Sequence, residues 1–256
     1  MGWTDAEKLQ LKQDVTQARG QFGPWHEGLL RFHPDLLKRV HQFVKAAEGD
    51  AVVPEKLRHL IWLAADAAVT HLYPRGIGIH ARRALEHGAT REELIEALEI
   101  ACVVTARSYE IGLPILMEEL AAANAVDTPP AQPLTKAQAA VRARFIDATG
   151  GCPDWIDTAF RMAPDYTAML LELAYGQPEG GALDSKSREL IYIGVCACPA
   201  VLDADGIRRH IRRAIALGTT AGELREVLQL ASGIGIHPLS VGIPAMAEQL
   251  EGGAAR

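Results

Sequence analysis

From His80 to Leu98 the chain reads HARRALEHGATREELIEAL, and from His210 to Leu228 it reads HIRRAIALGTTAGELREVL. The second stretch begins 130 positions after the first and repeats its histidine, its glycine (Gly88, Gly218), its threonine (Thr90, Thr220) and its Glu93-Leu94 pair as Glu223-Leu224. Each reads as a helix that stops at a glycine suited to positive φ, followed by a Thr-x-x-Glu capping box that opens a second helix. The spacing of Leu94, Leu98 and Ala101, and of Leu224, Leu228 and Ala231, predicts an apolar face on that second helix, turned toward a core.

The same offset holds along most of the chain. Trp25, Arg31, Pro34, Asp35, Arg58, Leu60, Ile61, Gly112 and Pro114 recur as Trp155, Arg161, Pro164, Asp165, Arg188, Leu190, Ile191, Gly242 and Pro244. So long a period is well beyond the roughly 20–50 residues of a solenoid unit. Each copy is therefore expected to be a small helical domain, and the pair a pseudo-dimer in one polypeptide. The proline-rich residues 127–133 set the boundary near Pro130, giving domains at 1–128 and 134–256, with 135–148 as the first helix of the second. Residues 57–69 and 189–198 are apolar nearly all round, the pattern of a hub helix buried on most sides. Further helices, 35–47 and 165–174, follow Pro34 and Pro164, and 47–51 and 177–181 read as loops ahead of each hub.

Composition narrows the function. Apolar residues make up 48% and aromatics only 5%, which favours packed helices over sheets. A net charge of -6 without a Lys/Arg-rich run leaves no electrostatic footprint for nucleic acid or an anionic membrane. The polar start and the lack of about 20 uninterrupted apolar residues predict a soluble, cytoplasmic protein with no membrane span. Cys102, Cys152, Cys196 and Cys198 are not duplicated and are expected to be reduced, mostly buried thiols. Gly-Ile-Gly-Ile-His occurs at 76–80 and 233–237, out of register with the repeat and after no strand, so it is not a dinucleotide site. No metal-ligand spacing or nucleophile elbow is present, and cofactor-free, metal-free chemistry is the expectation.

The candidate catalytic residues are His210, Glu189, His80 and His59. His80 and His210 are shared and lie at the start of the helix after each hub, where an imidazole can act as general acid or base or bridge backbone groups. Directly after the shared arginine stands His59 in one copy and Glu189 in the other, so the copies offer two unlike acid–base pairs. Arg107, Tyr109 and Glu110 precede Gly112-Leu113-Pro114 at an expected helix junction, where an arginine could bind a substrate carboxylate bidentately. His71 and His237 have no histidine counterpart, and Trp25, in a loop before a helix, either walls a pocket or anchors the fold. With Arg107 and Tyr109, these complete the candidate substrate-binding set.

Arg188-Glu189-Leu190-Ile191, then His210, Gly218, Thr220, Glu223-Leu224 and Gly242-Ile243-Pro244, form a pattern that resembles the carboxymuconolactone decarboxylase family, related to the alkylhydroperoxidase-D-like proteins. Arg58, His80, Ala84-Leu85, Gly88, Thr90, Glu93-Leu94 and Gly112-Leu113-Pro114 repeat it in the first copy. The resemblance implies an all-α fold of two tandem alkylhydroperoxidase-D-like domains. The family's antioxidant members carry Cys-x-x-Cys ahead of the histidine; here those positions are Tyr73 and Gly76, and Asp203 and Gly206. Thiol peroxidase chemistry, which needs an attacking thiolate, is not expected. What is implied is a cofactor-independent decarboxylase-like enzyme acting by acid–base chemistry on a small carboxylated lactone or unsaturated dicarboxylate in aromatic catabolism. An isomerase or hydrolase on a similar substrate, or a non-catalytic binding or assembly member, stands as the alternative. Single-copy relatives resemble hexamers, so a tandem chain is expected to close as a homotrimer of six modules.

Overall fold

The computed structural model describes residues 2–47, 51–125, 132–176 and 181–252, and every regular element among them is helical. The expected interdomain boundary near Pro130 and the core of each pre-hub loop lie outside the described residues. The first half runs α1 (Asp5–Arg19), α2 (Pro24–Phe32), α3 (Pro34–Ala47), α4 (Glu55–Ala67), α5 (Pro74–Glu86), α6 (Arg91–Ala101) and α7 (Val104–Ala122). The second runs α8 (Lys136–Thr149), α9 (Asp154–Met162), α10 (Pro164–Tyr175), α11 (Ser185–Ala197), α12 (Ala204–Ala216) and α13 (Ala221–Gly233). A 3₁₀ turn, Ile234–Ile236, then leads into α14 (His237–Gly252).

The punctuation read in the sequence is present. Gly88 and Gly218 close α5 and α12 at φ +85° and +81°, and Thr90 with Glu93 and Thr220 with Glu223 form reciprocal capping boxes. The hubs are α4 and α11. They pack on each other, and Leu60, Ile61, Leu190, Ile191 and Ile193 are at most 1% exposed within one core shared by both halves.

Around that hub the halves exchange their ends. Helix α14 packs on α2 and α13 on α3, so Ile236 and Ile243 complete the satellite core of Leu11, Val15, Trp25, Leu29 and Leu37. Helix α7 packs on α9 and α10, and Leu113 completes the matching core of Phe145, Trp155, Ile156 and Leu171. The shared arginines hold the exchange together. Arg58 donates through Nε to Glu226 on α13 at 2.7 Å, and the other Glu226 oxygen accepts from the backbone of Val52 and Val53. Arg188 pairs in the same way with Glu96 on α6, whose second oxygen accepts from Leu183.

Several expectations are corrected. On α6 and α13 the buried line runs through Ala97, Ile100 and Ala101 and through Val227, Leu230 and Ala231, whereas Leu98 and Leu228 are 38% and 39% exposed. The stripe is displaced because Glu96 and Glu226 must face inward to meet the hub arginines. Gly112-Leu113-Pro114 does not mark a junction, since α7 runs through Pro114 and α14 through Pro244. His80 and His210 lie midway along their helices rather than at the start, and Trp25 sits in the first turn of α2. Only Cys196 and Cys198 are buried; Cys102 is half-buried and Cys152 exposed. By length and composition alone the runs Arg91–Ala122 and Ala221–Glu251 are each apolar enough to cross a bilayer, although charged residues interrupt both.

Candidate active site

A cavity of about 230 Å³ opens where α1, α3, α4 and α5 of the first half meet the 3₁₀ turn and the start of α14. His59 and Trp62 from α4, His80 and Arg83 from α5, Arg19 from α1 and His237 from α14 line it. The hub supplies His59 and Trp62 one turn apart on a single helix face, which is why a helix that is otherwise core can also wall a site. Trp62 is fixed by its indole N–H, which donates to the Leu230 carbonyl at 3.0 Å, and its ring packs on His80 at 5.0 Å.

The Nδ1 atoms of His59 and His80 lie 3.1 Å apart. Burial pulls His59 down to about 4, assisted by the positive groups Arg83, His87 and Arg58. Burial also holds His80 well below its ordinary value, with His59 and Arg19 adding to the effect. At neutral pH both rings are therefore uncharged, and one donates its Nδ1–H to the other.

Beyond His80 sits Asp66, a residue that the sequence reading passed over. It is fully buried on α4, and neither carboxylate oxygen has a hydrogen-bond partner. Burial alone pushes its carboxyl up to about 8. Its nearest polar neighbours are imidazoles: His237 Nδ1 at 3.5 Å, His71 Nε2 at 3.6 Å and His80 Nε2 at 3.9 Å. His71 Nε2 and His237 Nδ1 are 2.7 Å apart, although 166 residues separate them in the chain. Room for the carboxylate comes from Gly76, where a Cβ would overlap Asp66 Oδ2. The second half uses the same device, with Gly206 against Asp203 and Cys196, the counterpart of Asp66.

The second half closes over its acid–base pair. His210 Nδ1 meets Glu189 at 2.8 Å, Arg213 pairs with the other Glu189 oxygen at 2.8 Å, and His210 is 1% exposed. The Tyr192 ring stacks on it at 4.3 Å, and His210 Nε2 is buried without a hydrogen-bond partner. Tyr192 takes the place of Trp62, while Tyr175 on α10 packs between Phe145 and Tyr192 with its hydroxyl accepting from Arg209 at 3.0 Å. Burial lowers His210 against the raising effect of Glu189. A groove lies beside this pair, lined by Glu110, Arg208, Arg209 and Arg213, but neither His210 nor Glu189 reaches it.

The structure thus brings three of the sequence-predicted residues together at the cavity, His59, His80 and His237, and sets His71 against His237 outside its lining. Arg107 belongs to the other half's surroundings, bonded to Glu110 at 2.9 Å and to Asp203 at 3.3 Å. Tyr109 packs edge-on to Trp155 and Tyr166, and Trp25 is buried against His26. Beyond Asp66, the sequence reading missed Trp62, Arg19 and Arg83. A single carboxylate within an otherwise apolar hub was the legible signal for Asp66; the arginines carry no such mark, because α1 reaches the cavity only through tertiary packing.

Comparison with known proteins agrees with this architecture. The carboxymuconolactone decarboxylase family matches twice, at residues 34–108 and 164–235. A crystal structure from Burkholderia xenovorans, provisionally named a gamma-carboxymuconolactone decarboxylase subunit, superimposes with a TM-score of 0.84 at 30% identity, covering 95% of this chain and 97% of that one. No curated protein sequence matches the chain.

Proposed function

Since this chain belongs to the carboxymuconolactone decarboxylase family, we propose that its first-half cavity performs acid–base chemistry on a small carboxylated lactone or unsaturated dicarboxylate of aromatic catabolism. The observation that carries this reading is the neutral His59–His80 pair at a cavity also lined by Arg19 and Arg83. The arginines bind the substrate carboxylates, taking the role expected of Arg107, which is engaged elsewhere. A bound anion offsets the positive groups that hold His59 low, so the imidazole pair takes up a proton from solvent as substrate enters. When the carboxylate leaves as CO₂, the electrons of the broken C–C bond move into the conjugated carbonyl. His80 then delivers the proton to carbon. His59 relays charge through the 3.1 Å contact, and Trp62 keeps the reacting face dry.

The Glu189–His210 pair, in this reading, serves the second half as a buried polar tie rather than as a second site. Isomerisation or lactone opening would use the same imidazoles, and the products formed from carboxylated lactones distinguish these reactions. A non-catalytic member would bind such anions without turnover. We further propose a homotrimer, supported by the exposed apolar side chains Ile95, Ile111, Ile115, Leu116, Val241 and Met246 on α6, α7 and α14. Light scattering at micromolar concentration tests it: a mass of three chains supports the assembly, and a monomer contradicts it.

A further inference from the structure

We propose that Asp66, His71 and His237 form a binding site for one divalent transition-metal ion of the zinc class, beside the first-half cavity that His237 lines. Two neutral imidazoles and a carboxylate are the donor set that such ions prefer. The three donor atoms, His71 Nε2, His237 Nδ1 and Asp66 Oδ1, are separated by 2.7, 3.5 and 3.6 Å. A circle through them has a radius of about 1.9 Å, so an ion at the roughly 2.0–2.2 Å of zinc–nitrogen and zinc–oxygen bonds reaches all three from just above their plane, the two nitrogens opening from 2.7 Å toward tetrahedral spacing as it binds.

Two further observations point to a cation here. Asp66 is fully buried with both oxygens lacking a hydrogen-bond partner, and its ion-pair contacts among the described residues are imidazoles only. A buried carboxyl in that condition either holds a proton or is met by a cation. The second half has solved the same problem internally. Asp66, His71 and His237 correspond there to Cys196, Val201 and Arg107, and the Arg107 guanidinium lies between Glu110 and Asp203. Where one half carries a built-in cation, the other carries ligands for an external one.

His237 is shared with the cavity lining, so the site adjoins the cavity. His80 Nε2, 3.9 Å from the second Asp66 oxygen, acts as a positioning residue for the carboxylate. In the empty site one of the two imidazoles donates its ring N–H to the other across their 2.7 Å contact; binding shifts that hydrogen to the ring's other nitrogen, so both rings present a lone pair to the ion. This site departs from the expectation of metal-free chemistry and does not depend on the decarboxylase reading, because its readout requires no substrate.

The test is titration of the full chain, first stripped with a chelator, with Co²⁺ followed by its visible spectrum and with Zn²⁺ followed by calorimetry. One ion per chain is expected. Asp66→Asn and His71→Ala should each weaken binding at least about tenfold, while His87→Gln, which breaks the neighbouring Glu55–His59–His87 group, should not. If Asp66→Asn fails to fold by circular dichroism, His71→Ala decides alone. Wild-type protein that binds neither ion at millimolar concentration overturns the proposal. So does unchanged binding in folded Asp66→Asn and His71→Ala, or loss of binding in His87→Gln.

Discussion

His59 Nδ1 lies 3.1 Å from His80 Nδ1, and the equivalent pair, Glu189 and His210, repeats this contact at 2.8 Å. The scaffold delivers the same two positions to the same place in both halves, yet the first pair lines a cavity while His210 is 1% exposed beneath Tyr192. Trp62 stands beside the open pair as a wall, whereas Tyr192 lies flat on His210 and Tyr175 packs behind it. Duplication preserved the geometry, and aromatic packing decided which copy remained open.

Because His210 is sealed and satisfies Glu189, its removal should be felt as stability. His210→Ala leaves a buried carboxylate with Arg213 alone, a loss of about 1–3 kcal/mol. Urea denaturation reads this directly, and an unchanged midpoint would assign His210 no role in packing.

The Arg58–Glu226 clasp ties the hub of one half to α13 of the other. Glu226→Ala takes the buried carboxylate from Arg58, which keeps its contact with Glu55, and strands two backbone N–H groups, for an expected cost of about 3–5 kcal/mol. Thermal melts should show the effect at Glu96→Ala as well, through Arg188. A variant as stable as wild type would mean that the exchange of helix ends is held by apolar packing alone.

Two glycines on α5 offer an internal comparison. A methyl group at Gly76 collides with Asp66, whereas at Gly78 it meets nothing within 4 Å. Gly76→Ala should destabilise by about 1–3 kcal/mol through overpacking. Gly78→Ala should stabilise by about 0.5–1 kcal/mol through helix propensity. Equal effects at the two positions would refute the close approach.

His26, on α2, is buried and held down to about 3 by burial, then by Arg19, Arg75 and His41. Its folded-state value lies below the roughly 6.5 of the unfolded chain. The unfolded state therefore binds the extra proton between those values, and stability contributed by neutral His26 is present above about 6.5 and lost as pH falls below it. Stability of His26→Gln, followed by urea midpoints from pH 7.5 to 4.5, should fall less steeply than that of wild type. Parallel profiles would exclude this contribution.

Much of this fold was legible in local chemistry. Gly88, Thr90 and Glu93 announce a helix end and a helix start without reference to anything distant, and the structure forms both caps. The hub followed from its unbroken apolar character. What local pattern could not convey was the exchange of ends: apolar spacing alone places Leu98 in the core, while Glu96 owes its inward position to Arg188, 92 residues away. The site was half visible for the same reason. His59 and His80 fall 21 residues apart on adjacent helices, but His237 reaches His71 only through the crossing of α14 into the first half.

The most direct measurement is CO₂ release from carboxymuconolactone by wild-type, His80→Gln and His210→Gln proteins, each confirmed folded by circular dichroism. The account predicts turnover by wild type, a loss of about 10²–10⁴-fold in His80→Gln, and near wild-type turnover in folded His210→Gln. Retained turnover in His80→Gln with loss in His210→Gln would place the chemistry in the other half and contradict it.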